Sequence, residues 1–243
     1  MYKNFVNEYE GFVKKFNLTL KNYVNMSDFP SLYKPIQYIL SSEGKRLRPF
    51  LFYLSSKVYN VPNDKIFQLA LSVEMLHCFS LVHDDIMDED DLRRGKETIH
   101  KKWDLSTAML VGDAIFALVY KNINELNNTK KVFHAFSKET INLCEGQSLD
   151  KIFESKNSIS IDDYLNMIEL KTGSLLSLSC KLGGILGDIT EDEINKLGNF
   201  GNFIGKAFQI QDDILEIYSD SLIMGKSLGS DIKEGKQTIM VIK

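Results

Sequence analysis

Apolar residues recur at three- and four-residue spacings over most of this chain, and strand-like alternation is scarce. The pattern predicts helices over 5–24 and 30–42, a Gly-Lys-Arg turn at 44–46, and an apolar run with small residues over 50–59. Pro62 and Asn63 interrupt it. A long helical pattern then runs from about Asp64 to Asp88, with Met75, Phe79, Val82 and Ile86 on one face. The charged stretch 93–102 reads as a break, and a helix begins near Ser106 or Thr107. The Asn- and Lys-rich 121–131 reads as a loop, followed by a helix to about Cys144 and a polar stretch over 151–160. Ser160 with Asp163 is a variant capping signal for a helix reaching Ser179, and Thr190 with Glu193 is a capping box for the next. No βαβ rhythm occurs. Eight or more helices packed as one all-α bundle account for the pattern.

Composition agrees with this reading and excludes several function classes. The 243 residues are 44% hydrophobic and 26% charged, values of an ordered protein with a sizeable core. Only four prolines are present and none follows Pro62, as a long helical tract requires. The net charge of -4, without a basic tail or stripe, argues against a nucleic-acid partner. Cys78, Cys144 and Cys180 lack CxxC spacing and read as buried thiols of a reduced compartment. The N-terminus has no signal-peptide pattern and no run of 18 apolar residues is seen, so a cytoplasmic chain without a transmembrane segment is expected.

The first candidate for chemistry is the segment from Glu74 through His77, His83, Asp84 and Asp85 to Asp88. At 100° per residue, His77, Asp84 and Asp88 lie within about 40° of one another, opposite the Met75 stripe. Asp84 and Asp88 stand one turn apart and repel unless a cation lies between them. Mg²⁺ suits such a pair, because it takes a few carboxylates, substrate phosphates and water. A solvated acidic helix end explains an isolated DDIMD equally well. Arg93 and Arg94, directly downstream, favour an anion bracketed by metal and guanidinium.

A second cluster lies in the segment from Gly201 to Ile217, where Gly201, Gly205, Asp212 and Glu216 share a face with Gln209 near its edge. Two glycines on one helical face point either to close helix packing or to room for a ligand. Asp212, Asp213 and Glu216 are the carboxylates on offer. Two acidic helix faces in one apolar bundle invite the expectation of a common cavity between them. Basic residues are set around these clusters: Lys45, Arg46 and Arg48 before an apolar run, Lys171 with Thr172 and Gly173, and Lys226 and Lys236 in a Gly-rich stretch without P-loop spacing. Residue chemistry reaches magnesium and diphosphate in a helical bundle, and no further.

The ordered motifs carry a resemblance. GKRxRP stands at 44–49, DDIMD at 84–88 followed by Arg93-Arg94-Gly95, GQxxD at 146–150, KTG at 171–173, GxAFQxxDD at 205–213 and KxxGxDxxEGKxT at 226–238. With these the sequence resembles the trans-isoprenyl diphosphate synthases, the polyprenyl synthetase family. The resemblance implies an all-α, isoprenoid-synthase-like bundle around a central cavity and a homodimer. It implies a single domain over 1–243 that lacks the family's C-terminal helices, since relatives continue beyond GKxT.

It implies isopentenyl diphosphate on Lys45, Arg48, His77 and Arg94. The allylic diphosphate would bind through Mg²⁺, three ions per active site with substrate bound. Its metal ligands would come from Asp84, Asp85, Asp88, Asp212, Asp213 and Glu216, with help from Arg93, Lys171, Lys226 and Lys236. Thr172 and Gln209 would stabilise the carbocation. Glu216 departs from the family's usual aspartate, which puts its direct contact with metal in question. Phe79, five residues before Asp84, would floor the product tunnel, and small Ser80 beside it favours geranylgeranyl over farnesyl diphosphate. A terpene cyclase would leave the basic isopentenyl site without use. A non-catalytic subunit of a heteromeric synthase is argued against by the presence of both acidic motifs.

Overall fold

The computed structural model describes residues 2–23, 29–126, 129–218 and 235–242. The chain forms two compact units, Met1–Thr129 and Lys130–Lys243.

The first unit is built around one helix. It contains α1 (Tyr2–Tyr23), α2 (Pro30–Leu40), α3 (Leu47–Val58) and α4 (Asn63–Met87). A hairpin follows, β1 (Leu92–Arg93) and β2 (Lys96–Glu97), then α5 (Ile99–Lys102) and α6 (Leu105–Asn124). Every residue of α4 from Leu69 to Cys78 is buried. The apolar stripe read from the sequence is therefore only one side of a helix that is enclosed all round, the behaviour of a core helix. Segment 65–87 has the length and mean hydropathy to cross a membrane, which the search for an unbroken apolar run did not register. Two-thirds of its most apolar window is instead buried inside the protein.

α4 packs on α3 and α6. Phe12, Phe50, Tyr53 and Phe67 join α1, α3 and α4 in one aromatic cluster. Each large apolar side chain removed from water there contributes roughly 1.5–3 kcal/mol. The predicted break at 93–102 holds the hairpin and α5. Asp104 caps α6 by accepting from the Thr107 amide at 2.7 Å, so the helix starts slightly ahead of the predicted residues.

The second unit comprises α7 (Thr129–Glu154), α8 (Ile161–Ile168), a π-helical turn (Glu169–Gly173), α9 (Ser174–Leu186) and α10 (Glu191–Tyr218). α7 runs past the predicted end at Cys144, because Phe153 is buried in the core and Lys151 pairs with Glu154 at 2.8 Å. Ser160 and Asp163 form the predicted capping box, and Thr190 exchanges hydrogen bonds with Glu193. The helix predicted to run on to Ser179 is interrupted by the π turn and extends to Leu186. Residues 235–242 lie on this unit, with Ile239 and Ile242 against the cluster of Phe153, Ile159, Tyr164, Met167 and Ile168.

The all-α expectation holds: among the described residues the two-residue hairpin is the only strand pairing. Cys78 and Cys180 are buried, and burial pushes both thiols up to about 12. Cys144 is exposed, contrary to its apolar sequence neighbourhood, because it lies on the outer side of α7.

Candidate active site

In the first unit, a basic cluster forms where loop 43–46 meets α4. Arg46 adopts a left-handed backbone (φ 48°) and turns its side chain inward. Its guanidinium donates to Asn17 Oδ1 at 2.9 Å, Glu74 Oε1 at 2.5 Å and the Ser42 carbonyl at 2.5 Å. That leaves Lys45 outside, its carbonyl accepting from the Tyr9 hydroxyl at 2.6 Å. Arg48, in the first turn of α3, places Nη1 3.2 Å from His77 Nε2. A guanidinium only donates, so Nε2 accepts and the ring proton belongs on Nδ1. Nδ1 finds no hydrogen-bond partner among the described residues. Burial, then Arg48, Arg94, Arg93 and Arg46, hold the His77 pKa well below the usual histidine value. The imidazole is a neutral donor, not a fifth cation.

The hairpin sends two consecutive arginines in different directions. Arg94 and Gly95 form its two-residue turn with positive φ at both, the geometry that matches strand twist. Arg94 reaches back to donate to the Glu43 carbonyl at 2.6 Å and covers Gly44, where a Cβ would lie 2.5 Å from Nη1. Arg48, His77 and Arg94 are thus gathered beside the loop that carries the exposed Lys45. Arg93, by contrast, pairs with Asp85 and with Asp90 at 3.1 Å.

Asp85 therefore stands apart from the metal-ligand set read from the sequence: it is buried and its carboxylate is engaged by Arg93. Burial pushes it up to about 6 against the pull of that guanidinium. Asp84 and Asp88 are partly exposed at the end of α4. They offer oxygen ligands one turn apart. Among the described residues no three His, Cys, Asp or Glu side chains are grouped to hold an ion. An open carboxylate pair of this kind suits Mg²⁺, whose remaining positions are taken by water and phosphate oxygens.

One turn before these carboxylates, Phe79 packs on Phe116 of α6 with ring centroids 5.0 Å apart, and Phe116 on Tyr120 at 4.9 Å. Gly112 lets α6 approach α4, since a Cβ there would lie 2.2 Å from His83 Nε2.

In the second unit, the π turn presents Lys171, Thr172 and Gly173. Such turns insert one residue into a helix and recur at functional sites. Lys171 Nζ lies 2.5 Å from Asp150 Oδ2. The Thr172 hydroxyl donates to Gln209 Oε1 at 2.8 Å, and Gln209 Nε2 donates to Asp213 Oδ1 at 2.9 Å. A Cβ on Gly205 would lie 2.5 Å from Gly173 Cα, and one on Gly146 2.3 Å from the Lys171 nitrogen. Gly201 likewise meets the Leu176 carbonyl. Close packing is the reason for these glycines, and it is what brings α7 and α10 against the π turn.

Of the carboxylates on α10, Asp212 is partly exposed while Asp213 and Glu216 are buried. Lys236 is partly buried in segment 235–242, and Lys226 lies outside the described residues. Sequence reasoning named Arg46 only as one of three cations before an apolar run, and it missed two contributors: Tyr164, whose hydroxyl donates to Asp213 Oδ2 at 2.7 Å, and Gln147. Gln147 is buried with neither end of its amide partnered among the described residues. Its place inside GQxxD was the available signal.

Helical units that carry clustered arginines beside a buried histidine, a pair of part-exposed carboxylates and an aromatic contact between two helices are the setting for the comparisons with known proteins. The sequence profile of polyprenyl synthetases matches residues 29–243. The chain is 37% identical to the geranylgeranyl diphosphate synthase of Sulfolobus acidocaldarius, over 98% of this chain and 74% of that one. A crystal structure of a geranylgeranyl pyrophosphate synthase matches with a TM-score of 0.92 at 38% identity, over 97% of this chain and 72% of that one. A Helicobacter pylori geranyltransferase, solved with magnesium and isoprenyl diphosphate, matches at 0.86 and 30% identity, over 97% and 82%. The chain belongs to the polyprenyl synthetase family, and its fold is the all-α isoprenoid-synthase fold.

Proposed function

We propose that this chain condenses isopentenyl diphosphate with allylic diphosphates and makes geranylgeranyl diphosphate. The observation that carries the reading is the basic cluster of Arg48, His77 and Arg94 beside loop 43–46, which also carries Lys45. A cyclase, which has no isopentenyl substrate, would have no use for it. Three cations hold the diphosphate there, and neutral His77 adds a donor through Nδ1.

Asp84, Asp88 and Asp212 are the carboxylates exposed enough to hold Mg²⁺, with three ions expected per active site when substrate is bound. Mg²⁺, when bound, offsets charge developing on the departing diphosphate. Lys171, Lys226 and Lys236 supply further positive charge to the same diphosphate, and Arg93 acts by holding Asp85. The allylic carbon–oxygen bond breaks with both electrons leaving on diphosphate. The oxygen dipoles of Thr172 and Gln209 stabilise the carbocation. The isopentenyl double bond attacks it to form the new carbon–carbon bond, and the departing diphosphate takes the proton lost from the adjacent carbon.

Phe79, backed by Phe116, limits the length of the product. The chain is read as a cytoplasmic homodimer. Leu105, Met109 and Leu110 on the exposed side of α6 support the dimer, since an apolar helix face is disfavoured in water.

The test is incubation with Mg²⁺, isopentenyl diphosphate and dimethylallyl, geranyl or farnesyl diphosphate, with products identified by mass and Asp84→Ala as control. Geranylgeranyl diphosphate lost in the control supports the reading. A farnesyl endpoint keeps the mechanism and overturns the length. A cyclic hydrocarbon, or no elongation by folded protein, overturns the activity.

A further inference from the structure

Asp213 is the most heavily engaged carboxylate of the second acidic motif. Its Oδ1 accepts from Gln209 Nε2 at 2.9 Å, and its Oδ2 accepts from the Tyr164 hydroxyl at 2.7 Å and from the Ile239 backbone amide at 3.2 Å. Both side chains are withdrawn from solvent, Asp213 4% exposed and Tyr164 1%. A metal ligand needs a lone pair pointing at open space, whereas here three protein donors converge on the two oxygens. The donors come from three places: α10 itself, α8, and the segment that carries Lys236.

The chemistry of the chain Thr172–Gln209–Asp213–Tyr164 has a direction. An ionised carboxylate can only accept, so the Gln209 amide must turn its NH₂ toward Asp213. Its oxygen then faces Thr172, whose hydroxyl donates to it at 2.8 Å. The lone pairs left on Thr172 Oγ1 and Gln209 Oε1 are the polarity required beside a developing cation. Reversing the amide would aim hydrogens there instead.

Asp213 also pins the far segment. The Ile239 amide bond, the Gln237 side chain donating to the Lys156 carbonyl at 3.1 Å, and the packing of Ile239 and Ile242 hold 235–242 against α7 and α8. Lys236 sits three residues before the pinned amide.

We infer that Tyr164 and Asp213 are positioning residues: buried between α8, α10 and segment 235–242, they set the orientation of the Gln209–Thr172 pair and the place of Lys236, and Asp213 is not a metal ligand. The inference deepens the proposed function and rests on it for its kinetic arm. Tyr164 is new to the site, and Asp213 changes role.

The experiment compares the full chain with Tyr164→Phe, Asp213→Asn and Asp212→Asn. Two readouts are taken: amide hydrogen exchange over 235–242, and steady-state kinetics with Mg²⁺ titrated. Losing a hydrogen bond to a buried charge should speed exchange of 235–242 by about tenfold or more in Tyr164→Phe and in Asp213→Asn. Both should lower kcat by a similar factor while the KM for isopentenyl diphosphate and the Mg²⁺ requirement stay put. Asp212→Asn should raise the Mg²⁺ requirement and leave exchange unchanged. If Asp213→Asn raises the Mg²⁺ requirement as Asp212→Asn does, with 235–242 still protected, the inference is overturned. Should the wild-type chain prove inactive, the proposed function fails separately. Exchange still decides the clasp: unaltered protection in both variants overturns it, and lost protection sustains it.

Discussion

Arg46 Nη1 lies 2.5 Å from Glu74 Oε1 with each side chain only 3% exposed, which ties loop 43–46 to the centre of α4. Arg46 stands between Lys45 and Arg48 in sequence, and Glu74 stands one turn before His77. Removing one partner leaves the other charge buried and alone, so Glu74→Ala should cost about 3–5 kcal/mol in urea unfolding. Replacing both, as Arg46→Met with Glu74→Leu, should recover most of that stability. It should not recover affinity: the KM for isopentenyl diphosphate stays raised, because the loop that carries Lys45 and leads into Arg48 has lost its anchor. Recovery of both would make the pair structural only.

His77 gives the protein an acid-sensitive stability. Its pKa is depressed by burial and by four arginines, so the folded state keeps it neutral while the unfolded chain protonates it near 6.5. The unfolded state therefore binds more protons as pH falls. Its contribution to stability is full above about 6.5 and is lost below that at up to about 1.4 kcal/mol per pH unit. Urea midpoints at neutral and mildly acidic pH should show the slope in the wild type, and His77→Gln should flatten it.

The glycines divide into those the packing requires and those it does not. Gly205→Ala would drive a Cβ to 2.5 Å from Gly173 Cα, backbone that cannot swing away. It should destabilise by about 1–3 kcal/mol. Activity should fall further than stability does, because the π turn shifts. Gly11, in the exposed interior of α1, has nothing within 4 Å of its Cβ position. Gly11→Ala should stabilise by roughly 0.5–1 kcal/mol through helix propensity, with unchanged turnover.

Phe79 and Phe116 meet in one ring contact, centroids 5.0 Å apart, and under the proposed function this pair limits the reach of the product chain. Phe79→Ala removes that ring from beside α6, so products longer than geranylgeranyl diphosphate should appear in the mass spectrum. Phe116→Ala should act in the same direction by letting the Phe79 ring tilt away. An unaltered product from both variants would move the length limit elsewhere.

Much of this protein is legible in one dimension. Helical periodicity announces α4 and α10, and the Ser160–Asp163 and Thr190–Glu193 caps announce α8 and α10, because local hydrogen bonds and side-chain spacing decide those features within a few residues. Cations, carboxylates and their order announce diphosphate chemistry, since charge is a property of composition. What the sequence could not decide is which group meets which. Asp84 and Asp85 are neighbours of the same type, yet one is partly exposed and the other is buried on Arg93. Asp212 and Asp213 part in the same way, the second taken by Tyr164 and Ile239. The π turn at 169–173 sits where Gly146 and Gly205 admit close backbone approach from α7 and α10, contacts remote in sequence. Those assignments depend on which neighbour packs within a few ångströms, and only the folded chain brings such neighbours together.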